Sequence, residues 1–263
     1  MKRALSFLLL LLGLVAVLCI LTAWFVYREH RQERLNHDLI AAVKRNDTKA
    51  VVSLLDQDAD ANCRDEPYRP VPWWQRLKDR LRRVKPKPST APTPLVLALR
   101  DRPGNVFPPE NLPLVQALLD HKANVNARDE YAFTPLNYAM WCRKKATTHL
   151  LLKYGADIKP DYRPDYAPLV WATGYFFDST DVLADMLHRG ADVNQQSRTG
   201  ITALSMAVRT QNVEAVRLLL SYHADITIRG NDGLTPLAEA KRSSTLPAGR
   251  QIIDLLKQAG AKE

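Results

Sequence analysis

Thr134-Pro135-Leu136-Asn137-Tyr138-Ala139, followed by Leu150-Leu151-Leu152 and then Ala156-Asp157, is the stretch on which the reading of this chain turns. Each part has a structural meaning. A threonine hydroxyl accepts hydrogen bonds from the free N–H groups of a helix's first turn. Proline is tolerated at the first helical position, where its missing N–H would be unpaired anyway. Leu136 then turns inward, and Ala139 one turn later lets a second helix approach closely. The apolar triplet gives that second helix its buried face, and Ala156-Asp157 closes the pair with a turn.

The same grammar returns on both sides of this unit. Ala-Asp or Ala-Asn stands at Ala59-Asp60, Ala123-Asn124, Ala156-Asp157, Ala191-Asp192 and Ala224-Asp225, with a degenerate Ala261-Lys262; the separations are 64, 33, 35, 33 and 37 residues. An apolar doublet or triplet precedes each turn: Leu54-Leu55, Leu118-Leu119, Leu150 to Leu152, Met186-Leu187, Leu218 to Leu220 and Leu255-Leu256. Helix starts of the Thr-Pro-Leu type occur at Thr93, Thr134 and Thr235, with variants at Ala167-Pro168-Leu169 and Thr202-Ala203-Leu204. A fixed period of about 33 residues marks a stacked-repeat architecture, in which each unit buries its apolar face only against its neighbours.

These residues resemble the ankyrin repeat family over about Asn36 to Glu263, and Val125-Asn126, Val193-Asn194 and Asn231-Asp232-Gly233 continue the resemblance into its fingers. The fold it implies is all-α, an ankyrin-repeat solenoid of helix-turn-helix units with hairpin fingers. Six units are expected, at about 36–65, 90–128, 129–161, 162–195, 196–229 and 230–263. Three departures stand out: Ala132 replaces the usual finger glycine, Asn137 or Ser205 replaces the usual helical histidine, and the first unit lacks the Thr-Pro start. The last suits an N-terminal cap that presents one polar face to water. The 64-residue step is best explained by an insertion at 66–92, and Pro103 to Pro109 lengthens the loop between the helices of the second unit.

Ahead of the repeats, Ala4 to Tyr27 carries no charged side chain. Twenty-four residues at about 1.5 Å each make roughly 36 Å of helix, enough to cross a hydrocarbon core of about 30 Å. A cleavable signal peptide is the alternative, but Leu21-Thr22-Ala23 puts a bulky residue where cleavage needs a small one. The expected organisation is therefore a transmembrane signal anchor at 1–27, a juxtamembrane linker at 28–35 and the repeat domain at 36–263. Lys2 and Arg3 precede the span without an acidic residue, whereas Arg28, Arg31 and Arg34 are mixed with Glu29 and Glu33. Positive charge stays inside. The expectation is a single-pass protein of the bacterial inner membrane with a cytoplasmic N-terminus and a periplasmic repeat domain.

The formal net charge is +9, and six of those charges lie between Glu66 and Pro92. There Trp74, Leu77, Leu81 and Val84 share one helical face, with Trp73 beside them and Arg76, Lys78, Arg80, Arg82 and Arg83 on the remainder. Three readings stay open for this segment: a membrane-surface helix on anionic lipid, a helix packed on the repeats, or a surface for an acidic protein. A nucleic-acid role is not expected, because no basic or aromatic stripe continues into the repeats.

No hydrolase, zincin, phosphate-loop or dinucleotide motif is present, and Cys19, Cys63 and Cys142 form no C-x-x-C pair. His121, His188 and His223 fall one per repeat, about 10 Å or more apart, too far to share one ion. No enzyme activity, cofactor, metal or small-molecule substrate is expected. The resemblance implies a protein partner on the concave face of finger tips and first helices. Mapped onto this chain, its variable positions hold Glu130, Tyr131, Phe133, Trp141, Tyr166, Tyr175, Arg198, Ile201 and Arg209, aromatic and arginine types that dominate interface energetics. Trp171 is expected to pack between repeats. The function that follows is a membrane-tethered scaffold for one protein partner, as an inhibitor, immunity factor or envelope assembly partner; the alternative is an adaptor whose basic insertion binds anionic lipid.

Overall fold

The computed structural model describes residues 2–66, 78, 82, 89–100, 110–159, 167–174, 180–242 and 247–262, with side chains from residue 12 onward. Its helices are α1 (Lys2–Lys44), α2 (Thr48–Asp56), α3 (Pro94–Leu99), α4 (Leu112–Asp120), α5 (Pro135–Trp141), α6 (Lys145–Lys153), α7 (Pro168–Ala172), α8 (Thr180–His188), α9 (Ala203–Arg209), α10 (Val213–Ser221), α11 (Pro236–Arg242) and α12 (Pro247–Gln258). Among the described residues there is no strand. The helices form six successive pairs, and each pair packs on the next through one continuous core that runs from Leu35 to Leu256. Leu95, Leu118, Leu136, Leu151, Leu169, Leu183, Leu204 and Leu219 are its recurring buried leucines. Each fully buried leucine contributes about 1.5–3 kcal/mol.

The helix starts obey local chemistry. Thr134 Oγ1 accepts from Asn137 N–H at 3.3 Å while Asn137 Oδ1 accepts from Thr134 N–H at 2.9 Å, so the asparagine that departs from the family pattern completes a reciprocal cap. Thr202 and Thr235 make the threonine half of such a cap, their hydroxyls accepting from Ser205 N–H and Ala238 N–H. Thr93 does not. Its hydroxyl makes no side-chain cap bond, and Oγ1 is buried without a partner.

Three fingers close with one register. Asp129 N–H donates to Phe133 O at 3.2 Å, Ser197 N–H to Ile201 O at 2.8 Å and Gly230 N–H to Leu234 O at 3.1 Å. The residue before the closing carbonyl is left-handed in each: Ala132 at φ 62°, Gly200 at 71° and Gly233 at 76°. Ala132 thus adopts the glycine turn despite its Cβ, at a cost of about 1–2 kcal/mol. The finger ahead of α3 keeps its base, with Asp65 N–H donating to Pro92 O at 3.0 Å. Residues 67–77, 79–81 and 83–88 of the insertion, and with them Trp73, Trp74, Arg76, Leu77, Arg80, Leu81 and Arg83, lie outside the described residues. Of that set only Arg82 is described: it is exposed, and its N–H donates to Lys78 O at 3.0 Å.

α1 is one unbroken helix of 43 residues. Its apolar portion, where Leu14, Ile20, Leu21 and Tyr27 stand exposed, is long and apolar enough to cross a membrane or to act as a signal sequence. Its C-terminal portion is the first helix of the first pair, with Leu35, Leu39, Ile40 and Val43 buried. Residues 28–35, expected as a linker, run within the same helix, and they are docked: Arg31 donates to Gln57 O at 3.3 Å and Gln32 to Asp58 O at 2.9 Å.

Candidate functional site

In the first, or inner, helix of each pair from the second onward, the position seven residues after the capping position holds in turn Arg100, Trp141, Gly174, Arg209 and Arg242. At the centre, Trp141 is 52% exposed and its ring lies 5.7 Å from that of Trp171, tilted by 43°. Trp171 is half-buried against the core. Gly174 lies between the tryptophan pair and the next repeat, where a Cβ would stand in ordinary contact with Trp171 O at 3.5 Å and Met206 Cγ at 4.0 Å. The result is an apolar centre of Trp141, Trp171 and Met206 on the face built by the first helices.

Charge pairs flank this centre on both sides. On one, Arg100 Nη1 donates to Glu130 Oε1 at 2.7 Å while its guanidinium lies 5.2 Å from the Tyr131 ring, a side chain that is itself 51% exposed. Cation and aromatic face attract, so Arg100 holds the finger tip in place. On the other, Arg209 donates to Glu239 and, at 2.8 Å, to Asp232 Oδ2. Burial pushes the Glu239 carboxyl above its ordinary range, against the pull of the Arg209 charge.

The finger beneath Tyr131 is organised by a buried carboxylate. Asp129 Oδ1 accepts from the N–H groups of Tyr131 and Phe133 at 3.0 and 2.9 Å, and Oδ2 accepts from the Tyr138 hydroxyl at 2.6 Å. Burial, and then this bond to Asp129, pushes the Tyr138 phenol well above its ordinary value. Phe133 packs on the Tyr138 ring at 5.3 Å and on the core.

Of the positions expected to bind a partner, Tyr131 and Trp141 are the exposed aromatics among the described residues. Phe133 and Ile201 are half-buried at the closed bases of their fingers. Arg198 is exposed at a finger tip, and Arg209 has its charge matched by carboxylates of the next repeat. Tyr166 and Tyr175 lie outside the described residues. Arg100 was missed from sequence, although it stands seven residues after Thr93 as Trp141 does after Thr134.

Two of the histidines serve the turns. His121 and His188 place Nδ1 at 2.8 Å from the carbonyls of Ala117 and Ala184, within the last turn of their own helices. Asp60, Asp157, Asp192 and Asp225 each accept from the N–H two residues on, at 2.8–3.0 Å, and so act as turn carboxylates. The three cysteines form no disulfide. Burial, then Asp60 and Asp65, pushes the Cys63 thiol up to about 12.

A family model for ankyrin repeats in three copies matches residues 39–161 and 169–262. Among solved structures, an ankyrin repeat domain from Acinetobacter baumannii is similar over 85% of this chain and 98% of its own, with 26% identity and a TM-score of 0.63. A chain from the complex of a predatory endopeptidase of Bdellovibrio bacteriovorus with an immunity protein is similar over 84% of this chain and 97% of its own, with 21% identity and a TM-score of 0.58. A putative ankyrin repeat protein of fowlpox virus is 40% identical over 93 residues, which are 34% of this chain and 27% of that protein. The chain thus spans about a quarter of the length of that relative.

Proposed function

The chain belongs to the ankyrin repeat family, whose repeats are binding modules, and from that membership we propose a membrane-tethered scaffold that holds one protein partner on the face of Trp141 and Tyr131. The observation that carries the site is the exposed Trp141 in tilted ring contact with Trp171, flanked by the Arg100–Glu130 and Arg209–Asp232 pairs. An apolar aromatic centre within a charged rim is how interaction hot spots are built, with rim charges excluding water and setting register. Replacing Trp141 and Tyr131 by alanine is expected to weaken recovery of a co-purifying protein about thirtyfold, some 2 kcal/mol, with helicity unchanged. Undiminished recovery would move the site off this face.

The tether is α1, with the repeats on the opposite side from Lys2 and Arg3; in a bacterium that side is the periplasm. Likeness to a chain from an endopeptidase–immunity complex supports a role in restraining an envelope enzyme, with assembly partner as the other use of the same face. Alkaline phosphatase fused after Glu263 should be active and a green fluorescent fusion dark. The reverse pattern would place the repeats in the cytoplasm.

A second reading is favoured by one observation. The basic insertion leaves the fold from a finger whose base, Asp65 to Pro92, is held against α1 itself, with Asp65 paired to Lys44 at 2.7 Å. That position suits a segment that binds anionic lipid beside the tether.

A further inference from the structure

We propose that the stack is held upright on the bilayer, with the edge formed by its Ala-Asp turns resting on the phospholipid headgroups and the opposite edge pointing away. The inference rests on α1 being a membrane anchor. It follows from how α1 is joined to the repeats.

The two edges of the stack are distinct rows of bonds. One row runs through the turns that follow the outer helices. Asn36 Oδ1 accepts from Asp60 N–H at 2.9 Å, Asn62 Oδ1 from Asn124 N–H at 2.6 Å, Asn126 Oδ1 from Asp157 N–H at 2.8 Å and Asn194 Oδ1 from Asp225 N–H at 2.7 Å. The other row runs through the turns that follow the inner helices. There Asn111 donates to Asn46 Oδ1 at 2.9 Å, the Cys142 thiol to Leu99 O at 3.6 Å and the Thr210 hydroxyl to Thr173 O at 3.2 Å. Within a pair, the two rows are one helix length apart.

α1 enters this arrangement from the side of the first row. Arg31 and Gln32, which bond Gln57 O and Asp58 O, come only four and five residues after Tyr27, the last residue of the uncharged run. At about 1.5 Å per residue, the first turn therefore sits roughly 6–8 Å beyond the hydrocarbon. A headgroup layer is about 5–8 Å thick on each side. The turn of the first repeat is consequently at headgroup level. No glycine or proline falls between Tyr27 and Lys44, and the helix is unbroken there, so nothing decouples the stack from the anchor.

The next repeats extend sideways from α1, because neighbouring inner helices pack against one another and the asparagine row ties their turns in line. The inner helices then stand within about 25 Å of the hydrocarbon, the length of α1 from Tyr27 to Lys44. A partner on the Trp141 face would meet it while lying along the membrane.

The test compares two ends of the same helix. In the full chain, with Cys19, Cys63 and Cys142 replaced by alanine, single cysteines are placed at Lys49 and Gln57, which bracket α2, and at Lys145 and Lys153, which bracket α6; all four positions are exposed. Each carries an environment-sensitive fluorophore in vesicles of phosphatidylcholine with a headgroup nitroxide quencher. Quenching at positions 57 and 153 is expected to exceed that at 49 and 145 at least twofold. Inserting Gly-Gly-Ser-Gly between Glu29 and His30 is expected to abolish the difference. Equal or reversed quenching in a chain that resists an alkaline wash overturns the orientation and leaves the anchor standing, as does a difference that survives the glycine insertion. A chain stripped by the wash overturns the anchor and the orientation together.

Discussion

The buried Asp129 carboxylate shows how one residue couples the stack to its site. It holds the finger that presents Tyr131 and fixes the phenol beneath it, satisfying two backbone donors and one hydroxyl that would otherwise be orphaned. The Tyr138 phenol titrates above its ordinary value of about 10 because burial and the Asp129 bond both favour the neutral form. A raised folded value means that the stabilisation is complete below pH 10 and is lost as pH rises through the folded value. Between pH 10 and 11, stability should fall by up to about 1.4 kcal/mol per unit more steeply than in Tyr138→Phe. Urea midpoints across that window measure this; parallel slopes in the two proteins would remove Tyr138 as the cause. Sequence reading reached some of this scale and missed some. It identified Ala132 as a glycine substitute but not that the left-handed turn survives there, held by the Asp129 carboxylate, which accepts from the N–H groups on both sides of Ala132. It assigned Thr93 a capping role that its buried, unpartnered hydroxyl does not play.

Helices were the most legible elements, because capping residues and the 33-residue period are local signals that tertiary context reinforces. α1 was the least legible. Hydropathy marks where an apolar span ends, but Tyr27 to Leu35 has ordinary helix-forming side chains that do not say whether the helix continues; it runs on unbroken, with Arg31 and Gln32 bonded to Gln57 and Asp58. The insertion is the element with the strongest charge, and the lipid reading makes a prediction for it. Each Lys or Arg near an anionic surface contributes about 1 kcal/mol, screened by salt. The segment from Arg28 onward should therefore bind phosphatidylglycerol vesicles, and binding should vanish in high salt or when Arg76, Arg80, Arg82 and Arg83 become glutamate. Binding that survives charge reversal would assign the contact to the turn edge, and absence of binding at low salt would leave the insertion as a packed helix or a second protein surface.

Across the whole molecule, stability is a sum over neighbouring repeats, so the weakest junction limits the stack. Chemistry-bearing residue types could be placed on the inner face from the repeat register alone, but which of them are free could not. The match of Arg209 to Asp232 and Glu239 depends on the side chains of the following repeat. The same register exposes the third junction. At 33 residues beyond Asn126 the asparagine row meets Lys159, which carries no acceptor for the Asp192 N–H, whereas the second and fourth junctions have Asn126 and Asn194. Contacts there include the tilted Trp141–Trp171 ring pair and the exposed pairs Lys145–Asp181 and His149–Asp181. Exposed pairs contribute about 0–1 kcal/mol each. The site residue Trp141 thus also ties the third repeat to the fourth, and a variant that strengthens this junction without touching the site separates the two roles. Lys159→Asn restores the missing acceptor, and a hydrogen bond of this kind contributes about 0.5–1.5 kcal/mol. The variant should raise the urea midpoint correspondingly and leave partner recovery unchanged. An unchanged midpoint would mean that the third junction is not the limiting one.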